Sequence, residues 1–304
     1  MTAATGGAAT ARAKGPRVWL DMDQQELDDA YDQAVYAPNS AQLAQRRTVN
    51  SAAVRTRLKP RRLAYGPTPI EGLDLYATAT PNAPVMVLIH GGAWRAGTAA
   101  DNAESAELFV HAGAHLAVLD FTTVTEAGGS LFPMIEQVRR AVAWVHRNAR
   151  SFGGDPNRIY VAGRSSGAHL GGCVLITDWA GDFGLPADLV KGALLASGMY
   201  DLKPVRLSKR GAYVKFTDEM EEKLSAQRHL DRINCPVVLA HGTYETPEFQ
   251  RQTRDFAAAL QAAGKPVTLI VAEGYNHFEL PETMASPYGL LGRAALELMG
   301  LAKA

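Results

Sequence analysis

Cysteine, charge of one sign and long apolar runs are all scarce in this chain of 304 residues. The two cysteines, Cys173 and Cys235, are too few for a disulfide framework and match no metal-ligand spacing, so we expect buried free thiols. Because 31 lysines and arginines balance 31 aspartates and glutamates, no basic excess is present to attract nucleic acid. No apolar run reaches the ~20 residues of a membrane span. We therefore expect neither nucleic acid nor a membrane as a partner.

The N-terminal stretch also lacks a marked apolar segment. Its first fifteen residues are rich in alanine, threonine and glycine, without the continuous apolar stretch of a signal peptide. We expect residues 1–18 to be a disordered extension and the protein to be cytoplasmic. Residues 19–304 are then predicted to form a single domain, since 47% apolar and 20% charged residues are ordinary for a globular chain of this length.

Residues 19–60 are predicted to form a helical cap at the start of that domain. The segment Asp23–Glu26 has an aspartate at the N-cap and a glutamate three residues later, which is a capping box. The helix that begins there is expected to end at Pro38. A second helix is expected to run to about Leu58, because Pro60 disfavours helical backbone just before it.

From residue 85 onward, short apolar runs alternate with amphipathic stretches. The apolar runs are 85–89, 116–119, 158–162, 192–196, 237–240 and 267–271. Helical spacing of three and four relates Ile135, Val138, Val142 and Val145. This alternation predicts an α/β fold with a doubly wound, mostly parallel sheet flanked by helices. The polar segment 203–222 is the least regular part, and we expect a mobile cap loop there, near the site.

The segment Gly163–Gly167 reads Gly-Arg-Ser-Ser-Gly and lies between a predicted strand and a predicted helix. A sharp turn at this point places Ser165 in a strained backbone conformation that lifts its hydroxyl clear of the sheet. The flanking glycines allow strand and helix to approach closely. The helix N-terminus favours negative charge nearby. The alternative is a turn rich in glycine and serine that has no chemical role.

A serine hydroxyl is a weak nucleophile, so it needs a base and an acid that orients the base. Glu245 and His277 each follow a predicted strand, at the edge where open α/β sheets bind ligands. We predict His277 as the base and Glu245 as the acid. Glu248 is the rival acid, although it lies where a helix begins. His241 precedes the acid position and is expected to have a structural role.

Gly91 and Gly92 follow the apolar run 85–89 directly. Two glycines after a strand let backbone N–H groups turn towards the site, where they would join the N–H group of Ser166 in an oxyanion hole. The alternative is an ordinary Gly-Gly turn. His90 is expected to be structural. The candidates for lining the substrate pocket are Trp94, Arg164 and Tyr244.

Together these motifs resemble the α/β-hydrolase superfamily, in its esterase and lipase branch. The segments that carry this resemblance are His90–Trp94, Asp155–Ile159 and Gly163–Leu170. Further segments resemble the arylformamidase, or kynurenine formamidase, group of esterases: Asp23–Asp32, Ser197–Leu202, Pro247–Gln252 and His277–Leu280. Three residues depart from the family pattern. Ser166 stands where many relatives have alanine, Arg164 where histidine or glutamine is frequent, and Glu245 where aspartate is usual.

The motifs and the resemblance predict a serine hydrolase that cleaves a carboxylic ester or an activated amide such as an arylformamide through an acyl-enzyme. The resemblance favours a short acyl group such as formyl or acetyl. No cofactor or metal is expected, and the partner is a small-molecule substrate, with a homodimer as an open expectation. Two alternatives remain: acyl transfer to a metabolite by the same residues, and a binding protein that keeps the fold without catalysis.

Overall fold

The structure is a computed structural model, and it describes residues 12–302. The predicted disorder of residues 1–11 therefore concerns a part of the chain outside the described residues. Residues 12–18, by contrast, contact the start of the first helix. Arg12 forms an ion pair with Asp23 at 2.6 Å, and the backbone N–H of Gly15 donates to the same carboxylate at 2.7 Å.

Three helices precede the sheet: α1 (Gln24–Ala30), α2 (Gln33–Tyr36) and α3 (Ser40–Leu58). The capping box at Asp23 is present as predicted. The expected single helix up to Pro38 is wrong, because the Asp32 carboxylate accepts a hydrogen bond from the N–H of Ala34 and starts a second helix. The end of α3 is as predicted.

Eight strands form a single sheet in the order β1-β2-β4-β3-β5-β6-β7-β8 among the described residues. Their bounds are β1 Arg61–Ala64, β2 Gly72–Tyr76, β3 Ala83–Ile89, β4 His115–Leu119, β5 Gly154–Arg164, β6 Val190–Ala196, β7 Val237–Gly242 and β8 Val267–Ala272. The pairs β1–β2 and β2–β4 are antiparallel, and all others are parallel. The predicted fold class is confirmed.

Helices cover both faces of the sheet. They are α4 (Ala106–His111), α5 (Phe132–Asn148), α6 (Ser166–Leu175), α7 (Trp179–Phe183), α8 (Leu202–Leu207), α9 (Asp218–Lys223), α10 (Pro247–Ala262) and α11 (Leu290–Leu298). Because successive side chains of a strand point to opposite faces, β3 contributes Val85 and Val87 to one apolar core and Met86 and Leu88 to the other. A strand buried on both faces reads as a continuous apolar run, which is why β3 was predictable.

The segment 203–222 differs from its expected irregular conformation. It holds most of α8, a 3₁₀ turn at Lys209–Ala212 and most of α9. The side chains of Asp201, Ser208 and Thr217 cap these three elements. Its expected position near the site is found, since Arg210 and neighbouring side chains line the cavity described below. Its mobility stays a prediction.

Both cysteines are buried and free. In the range 12–302, no helix has the length and apolar character needed to cross a membrane.

Candidate active site

Ser165 occupies the tight turn that joins β5 to α6. Its φ of 54° and ψ of −127° are unfavourable for a residue with a side chain. The surrounding contacts hold this conformation, and the N–H of Ser165 donates to the carbonyl oxygen of Ala196 at 2.9 Å. A Cβ at Gly163 would lie 2.4 Å from the carbonyl oxygen of Gly167, and one at Gly167 would lie 2.1 Å from that of Ile89. Strand and helix therefore approach this closely only with glycine at both positions.

Glu245 and His277 meet at the carboxyl ends of β7 and β8. The Nδ1 atom of His277 lies 2.7 Å from Oε2 of Glu245, and both side chains are buried. The other carboxylate oxygen accepts hydrogen bonds from the Ser197 hydroxyl at 2.6 Å and from the N–H of Gly242 at 2.7 Å. Three donors thus fix the carboxylate. With Nδ1–H donating to it, the Nε2 atom of His277 is left as a proton acceptor.

The rival carboxylate, Glu248, lies in a different network. Its two oxygens accept hydrogen bonds from Nε and Nη2 of Arg251 at 2.6 and 2.8 Å. The Tyr31 hydroxyl also donates to it, at 3.0 Å. This arrangement joins α1 to α10. Of the two carboxylates, the structure brings Glu245, not Glu248, to His277.

Gly91 and Gly92 lie beside the serine, and each needs to be glycine. A Cβ at Gly91 would lie 2.9 Å from the carbonyl oxygen of Arg164 and 3.1 Å from the Cβ of Ser165. Gly92 has a φ of 127°, and its Cβ would overlap the carbonyl oxygen of Ala96 at 1.9 Å. Within residues 12–302, the backbone N–H groups of Gly91, Gly92 and Ser166 donate to no protein acceptor. These N–H groups are free to bind a negative oxygen.

A cavity of about 710 Å³ opens over these residues. Ser165, His277, Gly91, Gly92 and Arg164 line it. The Arg164 guanidinium donates to the Asn102 side-chain oxygen at 2.8 Å. The predicted serine, base and glycine pair therefore share one cavity, and Arg164 is the one proposed pocket residue that lies in its wall.

The other two proposed pocket residues lie elsewhere. Trp94 is 2% exposed, and its indole N–H donates to Nδ1 of His169 at 3.2 Å, inside the core. Tyr244 points into solvent with 63% of its surface exposed. Neither side chain lines the cavity, so placing them in the pocket was wrong.

His90 and His241 have the structural character expected of them. His90 stacks on Phe121 with ring centroids 4.4 Å apart, and burial lowers its pKa to about 4. His241 is buried with Nδ1 at 3.2 Å from the carbonyl oxygen of Gly242, and burial lowers its pKa as well.

Sequence reasoning missed several residues of the site. Ser197 supports Glu245 from the end of β6 with a φ of 55°. Its signals in the sequence were its place directly after an apolar run and its position in a segment that resembles arylformamidases, and neither indicated this contact. Arg47 and Arg210 line the cavity from the cap helix α3 and from the segment 203–222. No pattern indicated which of the many polar residues in those two segments face the cavity. Among the residues that the structure describes, no group of three or more His, Cys, Asp or Glu side chains could hold a metal ion.

A mostly parallel sheet with a serine in a strained turn after one strand, and with a glutamate and then a histidine after later strands, is the architecture of α/β-hydrolases. The fold and the site geometry together place the chain in that class of protein.

Comparisons with known proteins give the family. The BD-FAE family matches residues 73–260, which is more than half of the chain, and the chain belongs to it. Kynurenine formamidase of Danio rerio is 28% identical over 296 residues, which cover 93% of this chain and 98% of that protein. Kynurenine formamidase of Salmo salar is 31% identical over 244 residues, covering 78% and 80%. An esterase structure from Pyrobaculum calidifontis superposes with a TM-score of 0.68 at 18% identity, covering 92% and 98%. The resemblance inferred from the motifs is confirmed.

Proposed function

We propose that this protein is a serine hydrolase that cleaves carboxylic esters or activated formamides through an acyl-enzyme. The observation that carries the proposal is the buried contact of 2.7 Å between Glu245 and His277, with His277 lining the same cavity as Ser165. The kynurenine formamidases named above support the reaction class.

In the first half of the reaction, the Ser165 Oγ attacks the carbonyl carbon while Nε2 of His277 takes its proton. Glu245 holds the imidazole in the required tautomer and stabilises the imidazolium that forms. The N–H groups of Gly91, Gly92 and Ser166 bind the oxyanion, and loss of one such donor typically costs about 3–4 kcal/mol. The carbon–oxygen or carbon–nitrogen bond then breaks, and His277 gives its proton to the departing group.

In the second half, His277 takes a proton from water, which attacks the acyl-enzyme and releases the acid and free Ser165. We propose a short acyl group, formyl or acetyl, because two of the most similar proteins are formamidases. Amide cleavage is then confined to activated amides such as N-formyl arylamines, since a poor amine leaving group has to be protonated as it departs.

The helices before the sheet are proposed to act as a cap. Tyr31, Gln33, Arg47 and Thr48 come from residues 19–60 and line the cavity that holds Ser165. Their position supports a role in limiting which substrates enter. The single-domain division, the cytoplasmic location and the homodimer stay predictions, for which limited proteolysis, cell fractionation and light scattering are the tests.

The direct test is turnover of N-formylkynurenine and of acetyl, butyryl and octanoyl para-nitrophenyl esters. We expect kcat/KM for the acetyl ester to exceed that for the octanoyl ester at least about tenfold. Ser165→Ala should abolish turnover and labelling by a fluorophosphonate, whereas Ser151→Ala, on the surface, should retain both. A label on Ser166, or an active Ser165→Ala variant, would contradict the assignment. A maximum at the octanoyl ester would remove the short-acyl proposal alone.

A further inference from the structure

Cationic side chains outnumber anionic ones in the wall of the cavity over Ser165. The cations are Arg47, Arg95, Arg164, Lys209 and Arg210, and the anions are Asp32 and Asp101. Lys209 and Asp32 form an ion pair with each other. Two of the remaining arginines are held by aromatic groups. Arg95 lies 4.3 Å over the Tyr213 ring. Among residues 12–302, Arg210 forms no ion pair with a carboxylate; it donates to the Tyr213 hydroxyl at 3.0 Å and lies over Trp94 and Tyr31.

Arg47 and Arg164 are in a different situation. Within the described part of the chain, neither guanidinium forms an ion pair with a carboxylate. Arg164 donates to the Asn102 amide oxygen at 2.8 Å, while Nε of Arg47 is buried without an acceptor. Burial and the neighbouring charge of Arg47 lower the pKa of Arg164 to about 10. Two guanidinium groups that repel each other therefore face one cavity.

The one carboxylate near both arginines is Glu104, and it compensates them incompletely. It accepts a hydrogen bond from the Ser51 hydroxyl at 3.0 Å and forms an ion pair with neither arginine in the structure of residues 12–302. Burial raises its pKa, which works against its negative charge. Arg47 and Arg164 are half-buried, and in the described range neither has a carboxylate partner to balance its charge. Removing a charge from water without such a partner is costly, so a site of this kind is stabilised by an anion that comes from outside the chain.

The position of the pair relates it to the reacting serine. Arg164 directly precedes Ser165, and a Cβ at Gly91 would touch both residues, at 3.6 Å from Cγ of Arg164 and 3.1 Å from Cβ of Ser165. We propose that Arg47 and Arg164 form a carboxylate-binding subsite, so that the natural substrate is an ester or formamide that carries a carboxylate group. A guanidinium suits this role because its planar N–H groups match the two oxygens of a carboxylate. The inference of substrate class rests on the proposed hydrolase function.

A matched pair of esters tests the subsite. Para-acetoxyphenylacetate and its primary amide share the acetyl group and the phenol leaving group, and they differ in charge. For the wild-type protein we expect kcat/KM to be about tenfold or more higher for the anionic ester, since hydrogen bonds to a charged group contribute about that factor. Arg47→Gln should remove most of this ratio through KM, and Arg47→Lys should recover part of it.

The control variant is Arg46→Gln, which removes the same charge one residue away on α3. Arg46 pairs with Glu282 on the surface and does not line the cavity. Its ratio of anionic to neutral turnover should equal that of the wild type. The proposal would be overturned if Arg47→Gln kept the wild-type ratio of kcat/KM between the anionic and the neutral ester. It would also be overturned if Arg47→Gln and Arg46→Gln lowered this ratio equally.

Equilibrium binding separates failure of the subsite from failure of the hydrolase proposal. Titration calorimetry with para-hydroxyphenylacetate on the Ser165→Ala protein needs no catalysis. We expect this carboxylate to bind about tenfold tighter than its amide, and Arg47→Gln to cancel the difference. If no ester or formamide is turned over while the carboxylate still binds, the hydrolase proposal fails and the anion subsite stands. If esters are cleaved but the carboxylate binds no tighter than the amide, the subsite is wrong.

Discussion

The cavity has two walls of different construction. One wall consists of strand ends and the turns that follow them, and it contributes Ser165, His277 and the Gly91–Gly92 pair. The other consists of helices from the start of the chain and of the segment 203–222, and it contributes Tyr31, Arg47 and Arg210. Backbone bonds to neighbouring strands position the first wall, while side-chain contacts between distant segments position the second.

This difference divides the proposed chemistry from the proposed specificity. A reacting group has to be held to within a fraction of an ångström, which the ends of hydrogen-bonded sheet strands provide. A wall of helices joined by ion pairs and tyrosine hydroxyls can change its side chains without disturbing the sheet. We therefore expect substitutions at strand ends to affect kcat, and substitutions in the helical wall to affect KM or stability.

The largest effect is expected for Glu245→Gln. This change keeps the shape of the side chain but removes the charge that contacts His277 and that we propose stabilises the imidazolium. We expect kcat to fall by about 10³–10⁴-fold, as loss of the acid does in other triads. Glu248→Gln is the matched control, because it removes the same charge three residues away from a network that does not include His277. Steady-state kinetics of both variants test this prediction. If Glu248→Gln loses activity and Glu245→Gln keeps it, Glu248 and not Glu245 is the acid.

A smaller loss of kcat is expected for Gly92→Ala. The new Cβ would meet the carbonyl oxygen of Ala96 at 1.9 Å, and the φ of 127° disfavours alanine, so the turn has to move. The N–H group proposed for the oxyanion would move with it, which should lower kcat by about 10²–10³-fold. Gly264→Ala, also at positive φ but on an open surface turn, controls for backbone strain and should retain kcat. If the two variants lose activity equally, the turn at Gly92 has no special role in catalysis.

The two walls also differ in how far the sequence predicts them. The runs before Ser165 and Glu245 are apolar or nearly so because β5 and β7 are parallel strands inside the sheet, so the ends of these strands were predictable. The run before His277 is the edge strand β8, whose side chains are mostly exposed or half-buried, although its sequence is also largely apolar. Side-chain directions in turns were not predictable. Trp94 has a φ of 63°, which sends its indole into the core against His169 instead of into the cavity.

The helical wall gave weaker signals for a physical reason. The helix α3 buries only Leu43, Ser51 and Val54, so its apolar periodicity is faint and most of its polar residues look alike. What distinguishes Arg47 is the fold, which brings it next to Arg164, distant in sequence. Contacts between distant segments depend on tertiary packing that propensity and periodicity do not report.

A pH effect on stability is expected beneath the cavity wall formed by strand ends, at the buried His169 of α6. Burial lowers the pKa of His169 to about 4 from its ordinary value of 6.5. Below pH 6.5 the unfolded chain therefore binds a proton that the folded chain refuses, and stability falls as the pH drops towards 4, by at most about 1.4 kcal/mol per pH unit. His169→Gln should show a shallower decline than the wild type in urea unfolding at pH 7.5, 6.5 and 5.5. If the free energy of unfolding falls with pH equally in the two proteins, then His169 binds a proton as readily in the folded state as in the unfolded chain, which would contradict the prediction.

The smallest effect is expected for Tyr31→Phe, in the helical wall. The Tyr31 hydroxyl donates to Glu248 at 3.0 Å and accepts from Gln252 at 2.7 Å, and it joins α1 to α10. Its removal leaves Glu248 bound to Arg251 and leaves Gln252 donating to the carbonyl oxygen of Asp201, so neither partner becomes an isolated buried group.

We therefore expect Tyr31→Phe to reduce the free energy of unfolding by about 1–2 kcal/mol, which is the range for one hydrogen bond to a charged group with its remaining partners kept. The melting temperature should drop by about 2–4 °C in calorimetry. The kcat for a small acetyl ester should stay within roughly threefold of the wild type, because no strand-end group moves. A loss of kcat as large as that of Gly92→Ala, with unchanged melting temperature, would contradict the division between the two walls, since the hydroxyl would then act on the reacting groups instead of on the packing of α1.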